Sequence, residues 1–171
     1  TLICMANGLA DNELITSKSP LADLFQEALN EVCIYLAKEI ARDGEGATKL
    51  IEVNVKGAAS LKEARLAART IVSSNLVKSA IYGNDPNWGR ITAALGRSGT
   101  RLEEPKLDVY IGKIQVLRQG MPLDFDRDKA VKVLKQKEVP ITVQLNIGGA
   151  EATAWGCDLT EEYVKINAEY T

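Results

Sequence analysis

A single glutamate, Glu45, is enclosed between Gly44 and Gly46 and therefore has little cover from neighbouring side chains. A carboxylate that a loop presents in this way can bind a cationic amine through charge-assisted hydrogen bonds. The same residue types are also typical of a solvated turn after a helix, in which Gly44 takes the left-handed conformation. The residues alone leave a ligand-binding carboxylate and an ordinary turn as alternatives.

A second polar segment, residues 84–90 (NDPNWGR), places turn-forming residues around Trp88. One interpretation is the wall of a ligand site, in which Arg90 binds a carboxylate. The other is a rigid structural loop, in which Asp85 or Asn87 caps a helix that starts at Trp88, and Arg90 contacts only water. Both interpretations fit the residue types.

The candidate nucleophiles are few, because the chain contains no histidine and cannot complete Ser-His-Asp, Cys-His or H-E-x-x-H chemistry by itself. Thr1 is a candidate, since an N-terminal threonine can attack with its hydroxyl while its own α-amine acts as the base. The alternative is that position 1 only marks where this sequence begins. Cys4, Cys33 and Cys157 lie far apart without a C-x-x-C pair, so we predict buried free thiols and no metal site.

The composition favours a single unit over residues 1–171 and argues against several classes of protein. With 46% hydrophobic residues, the chain can bury a core of its own. Its net charge of -2 and its scattered basic residues provide no electrostatic footprint for nucleic acid. No apolar run approaches the roughly 20 residues that cross a bilayer, and the N-terminus lacks a signal-peptide pattern. We therefore expect a cytoplasmic protein with no nucleic-acid or membrane partner.

Hydrophobic periodicity predicts a mixed α/β fold, α+β or layered, in which strands and helices alternate early and strands pair late. A helix over residues 20–42 has Ser19 as its N-cap and ends at Asp43 and Gly44. Gly148 and Gly149, which lack a phosphate-loop context, predict a hairpin between strands 139–147 and 151–157. The other predicted elements are strands at 2–6, 49–56, 76–82 and within 106–117, and helices at 60–71, 88–95, 127–135 and 160–167. A Ser60-x-x-Glu63 capping box opens the first of these helices, and Thr160 opens the last.

Four segments resemble the ornithine acetyltransferase family, which is also called glutamate N-acetyltransferase. They are residues 5–8 (MANG), 40–49 (IARDGEGATK), 82–90 (YGNDPNWGR) and 153–167 (TAWGCDLTEEYVKIN). Because they cover essentially the whole chain in the family's order, the set is far more specific than any one segment. The resemblance implies a layered sandwich of the self-processing ornithine acetyltransferase and aminopeptidase type.

The resemblance also implies that this chain is most of the C-terminal, or beta, chain of a precursor that cuts itself before a nucleophilic threonine. In the family that threonine begins a T-M-L-like segment, upstream of a stretch resembling S-T-N-D-T, and Thr1 matches the last threonine of that stretch. The nucleophile is therefore expected upstream, and this chain is expected to hold no catalytic residue. The implied partner is the alpha chain of the same precursor, with two alpha and two beta chains in the assembly.

The implied reaction, a step of arginine biosynthesis, moves the acetyl group of N-acetylornithine to glutamate through a threonine acyl-enzyme. The threonine's α-amine would be the base, and the oxyanion donors would come from the other subunit. No cofactor is implied, although acetyl-CoA is a possible further acetyl donor. Glu45 and Asn167 match the family's substrate-binding residues, whereas Thr171 lies four positions after Asn167 instead of five and is not carried over.

Two alternatives remain open beside the acetyltransferase. One is a catalytically inactive module that binds amino acids, and the other is a related self-processing aminopeptidase. The Glu45 and Asn167 matches favour the acetyltransferase.

Overall fold

The structure is a computed structural model that describes residues 3–169. These residues form two units, the first ending at Leu36 and the second beginning at Ala37, and each is described by itself. The expectation of a single unit over residues 1–171 stays a prediction. Within residues 3–169, no helix is both long enough and apolar enough to span a membrane.

The first unit begins without regular structure. The predicted strand at 2–6 is wrong for residues 3–6, and Leu2 lies outside the described residues. Ile3 and Met5 are 78% and 94% exposed, and no strand among the described residues pairs with them, so neither burial nor a ladder favours the extended form. Helix α1 (Ala22–Arg42) confirms the helix predicted at 20–42, although it begins two residues later. The prediction of Ser19 as its N-cap is wrong, because the Ser19 hydroxyl accepts the Thr16 N–H and donates to the Leu14 carbonyl instead.

The second unit contains a six-stranded mixed sheet. The strands are β1 (Leu50–Ala58), β2 (Asp108–Ile111), β3 (Ile114–Arg118), β4 (Met121–Pro122), β5 (Glu138–Gln144) and β6 (Ala150–Cys157). They lie in the order β4-β3-β2-β5-β1-β6, with β1 parallel to β5 and every other neighbouring pair antiparallel. The predicted mixed α/β class is confirmed.

The core forms where helix α2 (Leu61–Val72) packs against β1 and β6. Ile51, Val53 and Val55 of β1 are completely buried, whereas the alternating side chains are partly exposed, as the period of two predicts. The Ser60 side chain accepts a hydrogen bond from the Glu63 N–H and so caps α2, as predicted. The other helices of this unit are α2 (Leu61–Val72), α3 (Asn75–Tyr82), α4 (Trp88–Gly96), α5 (Arg127–Leu134) and α6 (Glu161–Ala168), with a 3₁₀ turn at Glu104–Lys106.

Helix α3 corrects the predicted strand at 76–82. Its buried residues are Val77, Ala80 and Ile81, which follow the i, i+3, i+4 spacing of one helical face. An apolar run of this length fits either a strand or a helix, and tertiary packing decides between them.

The predicted hairpin between β5 and β6 is also wrong, because β1 lies between these two strands. The connection crosses the C-terminal end of β1, where the N–H groups of Ile147 and Gly148 both donate to the Gly57 carbonyl. Gly148 is required for this crossing, since a Cβ there would lie 2.5 Å from the Ala58 carbonyl oxygen. Gly148 thus permits a close backbone crossing instead of forming part of a two-residue turn.

The partly exposed side of β1 carries one well-connected carboxylate, Glu52. It accepts hydrogen bonds from Trp155 Nε1 at 2.8 Å and Asn54 Nδ2 at 3.2 Å, and it pairs with Lys38 Nζ at 3.0 Å. Burial raises the pKa of the Glu52 carboxyl, but the hydrogen bonds from Trp155, Lys38 and Asn54 together outweigh burial and leave the pKa below its ordinary 4.5. The ionised form of Glu52 therefore stabilises the fold.

This arrangement predicts a change in acid sensitivity for Trp155→Phe. The stabilisation from Glu52 is complete above its unfolded pKa of 4.5 and is lost as the pH falls through its lower folded value. Removing the indole donor raises the folded pKa, so the loss of unfolding free energy between pH 7 and pH 3 should be smaller in the variant. Urea denaturation across this pH range measures the difference. Trp88→Phe is the control, and equal acid sensitivity of Trp155→Phe and the unmodified protein would contradict the assignment.

Candidate functional site

The loop that carries Glu45 connects α1 to β1 and presses against the end of β6 and the start of α6. Gly46, with φ 65°, takes the left-handed conformation, and the expectation that Gly44 does so is wrong. A Cβ on Gly44 would lie 2.7 Å from Cys157 Sγ, and a Cβ on Gly46 would lie 2.7 Å from the Tyr163 backbone nitrogen. The two glycines therefore permit close packing of the loop, which the sequence interpretation did not foresee.

The structure brings the two predicted site residues together. Asn167 Nδ2 donates to Glu45 Oε2 at 2.9 Å, although the residues are 122 positions apart in the chain. Both side chains are exposed and can meet a ligand. Asn167 lies in the last turn of α6, whose predicted start is confirmed by the Thr160 side chain accepting the Tyr163 N–H at 3.1 Å.

The orientation of the Asn167 amide follows from its neighbours. Its nitrogen donates both to Glu45 Oε2 and to the Tyr163 carbonyl at 2.8 Å. Both partners are acceptors, so the amide nitrogen must face them and the Asn167 Oδ1 atom points elsewhere. The pair therefore offers a ligand only acceptors, namely the Glu45 carboxylate and the Asn167 carbonyl oxygen.

A buried carboxylate, Asp158, holds the far end of the Glu45 loop. It is only 3% exposed and accepts the N–H groups of Thr48 at 2.8 Å and Lys49 at 3.0 Å, together with the Thr48 hydroxyl. Two residues later, the Thr160 hydroxyl donates to the Gly46 carbonyl at 2.8 Å. Sequence reasoning missed both anchors, and only their position within the fourth family segment could have suggested them.

Lys49 connects the Glu45 loop with the segment at 84–90. Its Nζ donates to the Ile81 carbonyl at 2.6 Å and to Asn84 Oδ1 at 2.8 Å, and so caps the C-terminal end of α3. Partial burial lowers the pKa of the Lys49 ammonium, which the nearby Asp158 carboxylate opposes. Three of the four family segments are thus joined by direct hydrogen bonds.

The segment at 84–90 has a structural role in this chain. Asn87 caps α4 by accepting the Arg90 N–H at 3.3 Å, as one of the two interpretations predicted. Arg90 Nη1 donates to the Leu76 carbonyl and to Ser79 Oγ, each at 3.0 Å, instead of facing only water. Trp88 packs against the core. The loop fixes α4 against α3.

The cysteines carry no disulfide. Cys4, Cys33 and Cys157 are free thiols, as predicted, but the expectation that they are buried is wrong, because Cys4 is exposed and the other two are only half-buried. Among residues 3–169, no three His, Cys, Asp or Glu side chains converge in a way that could hold a metal ion. Thr1 and Thr171 lie outside the described residues.

Comparison with known proteins identifies a family. The sequence profile of the ArgJ family matches residues 1–171. The arginine biosynthesis bifunctional protein ArgJ of Symbiobacterium thermophilum is 55% identical over 169 residues, which are 99% of this chain and 42% of that protein. The protein of the same name from Oceanobacillus iheyensis is 52% identical over 169 residues, which are again 99% of this chain and 42% of that protein. The chain spans about 42% of the length of these curated relatives.

A solved structure agrees with the sequence comparison. The crystal structure of arginine biosynthesis bifunctional protein ArgJ from Bacillus halodurans superposes with a TM-score of 0.95 at 51% identity, covering 98% of this chain and 79% of that one. The resemblance of the four sequence segments is thereby confirmed. With a family profile matching its full length and relatives above 50% identity, this chain belongs to the ArgJ family.

Proposed function

We propose that this chain forms one wall of the substrate site of an ornithine acetyltransferase that acts in arginine biosynthesis. The enzyme would move the acetyl group of N-acetylornithine to glutamate. Family membership supports the reaction class, and the hydrogen bond between Asn167 Nδ2 and Glu45 Oε2 supports the site. That contact is the observation on which the proposal rests.

The chemistry of this pair favours an ammonium ligand. A carboxylate and an amide carbonyl oxygen are both acceptors, and a protonated amine supplies up to three donors and a positive charge. A carboxylate ligand would meet the like charge of Glu45 and find no donor at either residue. The pair thus suits an amino group of ornithine or glutamate, whose carboxylate would have to be bound by other groups.

The reaction itself would use groups outside this chain. A threonine hydroxyl attacks the acetyl carbonyl of N-acetylornithine, its own α-amine takes the proton, and ornithine leaves with a proton on its nitrogen. The amine of glutamate then attacks the threonine ester and regenerates the hydroxyl. Such chemistry needs no histidine, which fits a chain that has none. It needs no cofactor, and acetyl-CoA is a candidate further donor.

The proposed assembly contains two copies of this chain and two alpha chains in the cytoplasm. The relatives' greater length supports a partner fragment, since this chain accounts for about 42% of it. The partner would contribute the oxyanion donors that stabilise the tetrahedral intermediate.

The test is Glu45→Gln in the full-length enzyme. Loss of a charged hydrogen-bonding partner for the substrate amine should lower kcat/KM for N-acetylornithine by about 10- to 100-fold, mainly by raising KM. Glu151→Gln, an exposed glutamate of β6, is the control and should leave kcat/KM within about twofold.

Unchanged kinetics for Glu45→Gln would contradict the proposed role of that carboxylate. Two further outcomes would contradict the reaction. Calorimetric binding of ornithine without any acetyl transfer would indicate an inactive binding module, and hydrolysis of a β-peptide without acetyl transfer would indicate an aminopeptidase.

A further inference from the structure

We propose that Asp158 is a positioning residue that sets Glu45 opposite Asn167. The inference builds on the substrate role proposed above for Glu45. Asp158 does not touch the substrate in this proposal. It acts by fixing the backbone that follows Glu45 and, through the same short segment, the start of the helix that carries Asn167.

Asp158 anchors the backbone of residues 48 and 49. The ladder between β1 and β6 ends with the pair Leu50 and Cys157, so the backbone of the Glu45 loop leaves the sheet at this point. Asp158 continues the connection by accepting two N–H groups and one hydroxyl there, while its own N–H donates to the Lys49 carbonyl at 3.2 Å. The loop is thereby tied to the sheet beyond the last strand pair.

Thr160 anchors Gly46, the residue directly after Glu45. Its carbonyl accepts the Thr160 hydroxyl, and the same hydroxyl oxygen accepts the Tyr163 N–H as the N-cap of α6. One side chain therefore connects the Glu45 loop to the first turn of α6. Asn167 lies in the last turn of that helix, so its position relative to Glu45 depends on this connection.

The segment Asp158 to Thr160 thus holds both partners of the candidate site at once. Asp158 fixes the loop downstream of Glu45, and Thr160 fixes the loop and the helix together. Because Asp158 is buried, removing its carboxylate would leave the N–H groups of Thr48 and Lys49 without their acceptor. The loop would relax to reach water, and Glu45 would lose its fixed distance to Asn167.

A role limited to stability is the alternative, and two substitutions separate the two roles. Asp158→Ala removes all three accepted hydrogen bonds. Asp158→Asn keeps an oxygen for the two N–H groups, and the Thr48 hydroxyl can accept from the new amide. In the full-length enzyme, Asp158→Ala should lower kcat/KM for N-acetylornithine about 10- to 100-fold, mainly through KM, whereas Asp158→Asn should stay within about threefold.

The decisive measurement is the double variant Glu45→Gln with Asp158→Ala. If Asp158 acts through Glu45, adding Glu45→Gln to Asp158→Ala should lower kcat/KM by less than about a further threefold, because the Glu45 carboxylate is already misplaced. The control is Thr100→Val, which removes a buried hydrogen bond to Ser98 at the end of α4 and should change stability without changing KM. If Asp158→Ala fails to fold, Thr48→Val, which removes a single donor to Asp158, takes its place in the double variant with Glu45→Gln.

Each result bears on a different claim. Additive losses in the double variant would overturn the positioning role of Asp158 and leave the proposed function of Glu45 standing. No effect of Glu45→Gln alone would overturn both the proposed function and this inference. A large KM increase for Asp158→Ala, rescue by Asp158→Asn and clear non-additivity would support the inference.

Discussion

Replacing Gly46 with alanine is expected to lower the free energy of unfolding by about 2–5 kcal/mol and to separate Glu45 from Asn167. Gly46 has a φ of 65°, a conformation that an L-residue with a Cβ adopts only with strain. The added Cβ would also lie 2.7 Å from the Tyr163 nitrogen and 3.0 Å from Glu162 Cβ. These atoms belong to the first turn of α6 and cannot move without displacing the helix.

Thermal unfolding of the full-length protein measures the stability loss, and kcat/KM measures the displacement of the site. Gly99→Ala is the matched control, because Gly99 has a φ of 76° but a Cβ there would meet nothing within 4 Å. It should show only the backbone strain of about 1–2 kcal/mol and normal kinetics. Equal effects of the two substitutions would show that the loop does not press against α6 as the structure indicates.

The second large effect is expected for Gly148→Ala, which should lower the free energy of unfolding by about 1–3 kcal/mol. Its Cβ would lie 2.5 Å from the Ala58 carbonyl oxygen and 3.0 Å from the Ala59 Cα. Both are backbone atoms at the end of β1, where the β5 to β6 connection crosses. The clash can be relieved only by lifting the connection or shifting the strand.

The neighbouring Gly149 provides the control, since a Cβ at this position would meet nothing within 4 Å. Gly149→Ala should change the unfolding free energy by less than about 1 kcal/mol. Guanidinium denaturation of both variants gives the comparison. A tolerated Gly148→Ala would argue that the connection does not cross β1 closely, and the order of β5, β1 and β6 would then need revision.

Elements whose signals are local were predictable from the sequence. In α1 the apolar residues recur at helical spacing, and in β1 they recur at every second position. Few other conformations would place these residues on one face. The caps at Ser60 and Thr160 could also be predicted, because each side chain accepts the N–H of the residue three positions later and depends only on residues of the same helical turn. These features depend on neighbours in sequence.

Features that depend on distant partners were not predictable in the same way. The residues of α3 form a short apolar run, and only packing against α4 and α2 selects the helix. The strands β5 and β6 follow each other across a glycine pair, which locally favours a hairpin. The insertion of β1 between them involves a strand far upstream, and no residue near Gly148 signals it.

The residues of the candidate site also differ in whether the sequence could predict their roles. Glu45 and Asn167 could be named because they match a family pattern, although nothing in their local sequence places them 2.9 Å apart. The anchoring roles of Asp158 and Thr160 have no local signal, since an aspartate at the end of a strand is usually solvated and the N-cap pattern at Thr160 does not indicate its bond to Gly46. Their importance follows from burial and from hydrogen bonds to residues more than 100 positions away.

The central placement of β1 also has a consequence for how the chain is made. Both neighbours of this strand come late in the sequence, and the contact between Glu52 and Trp155 closes over 103 residues. At a synthesis rate of roughly 5–20 residues per second, the ribosome needs about 5–20 s to supply the last partner. During this time the strand would have open hydrogen-bonding edges, and we expect its alternating polar residues Glu52, Asn54 and Lys56 to oppose aggregation of the nascent chain.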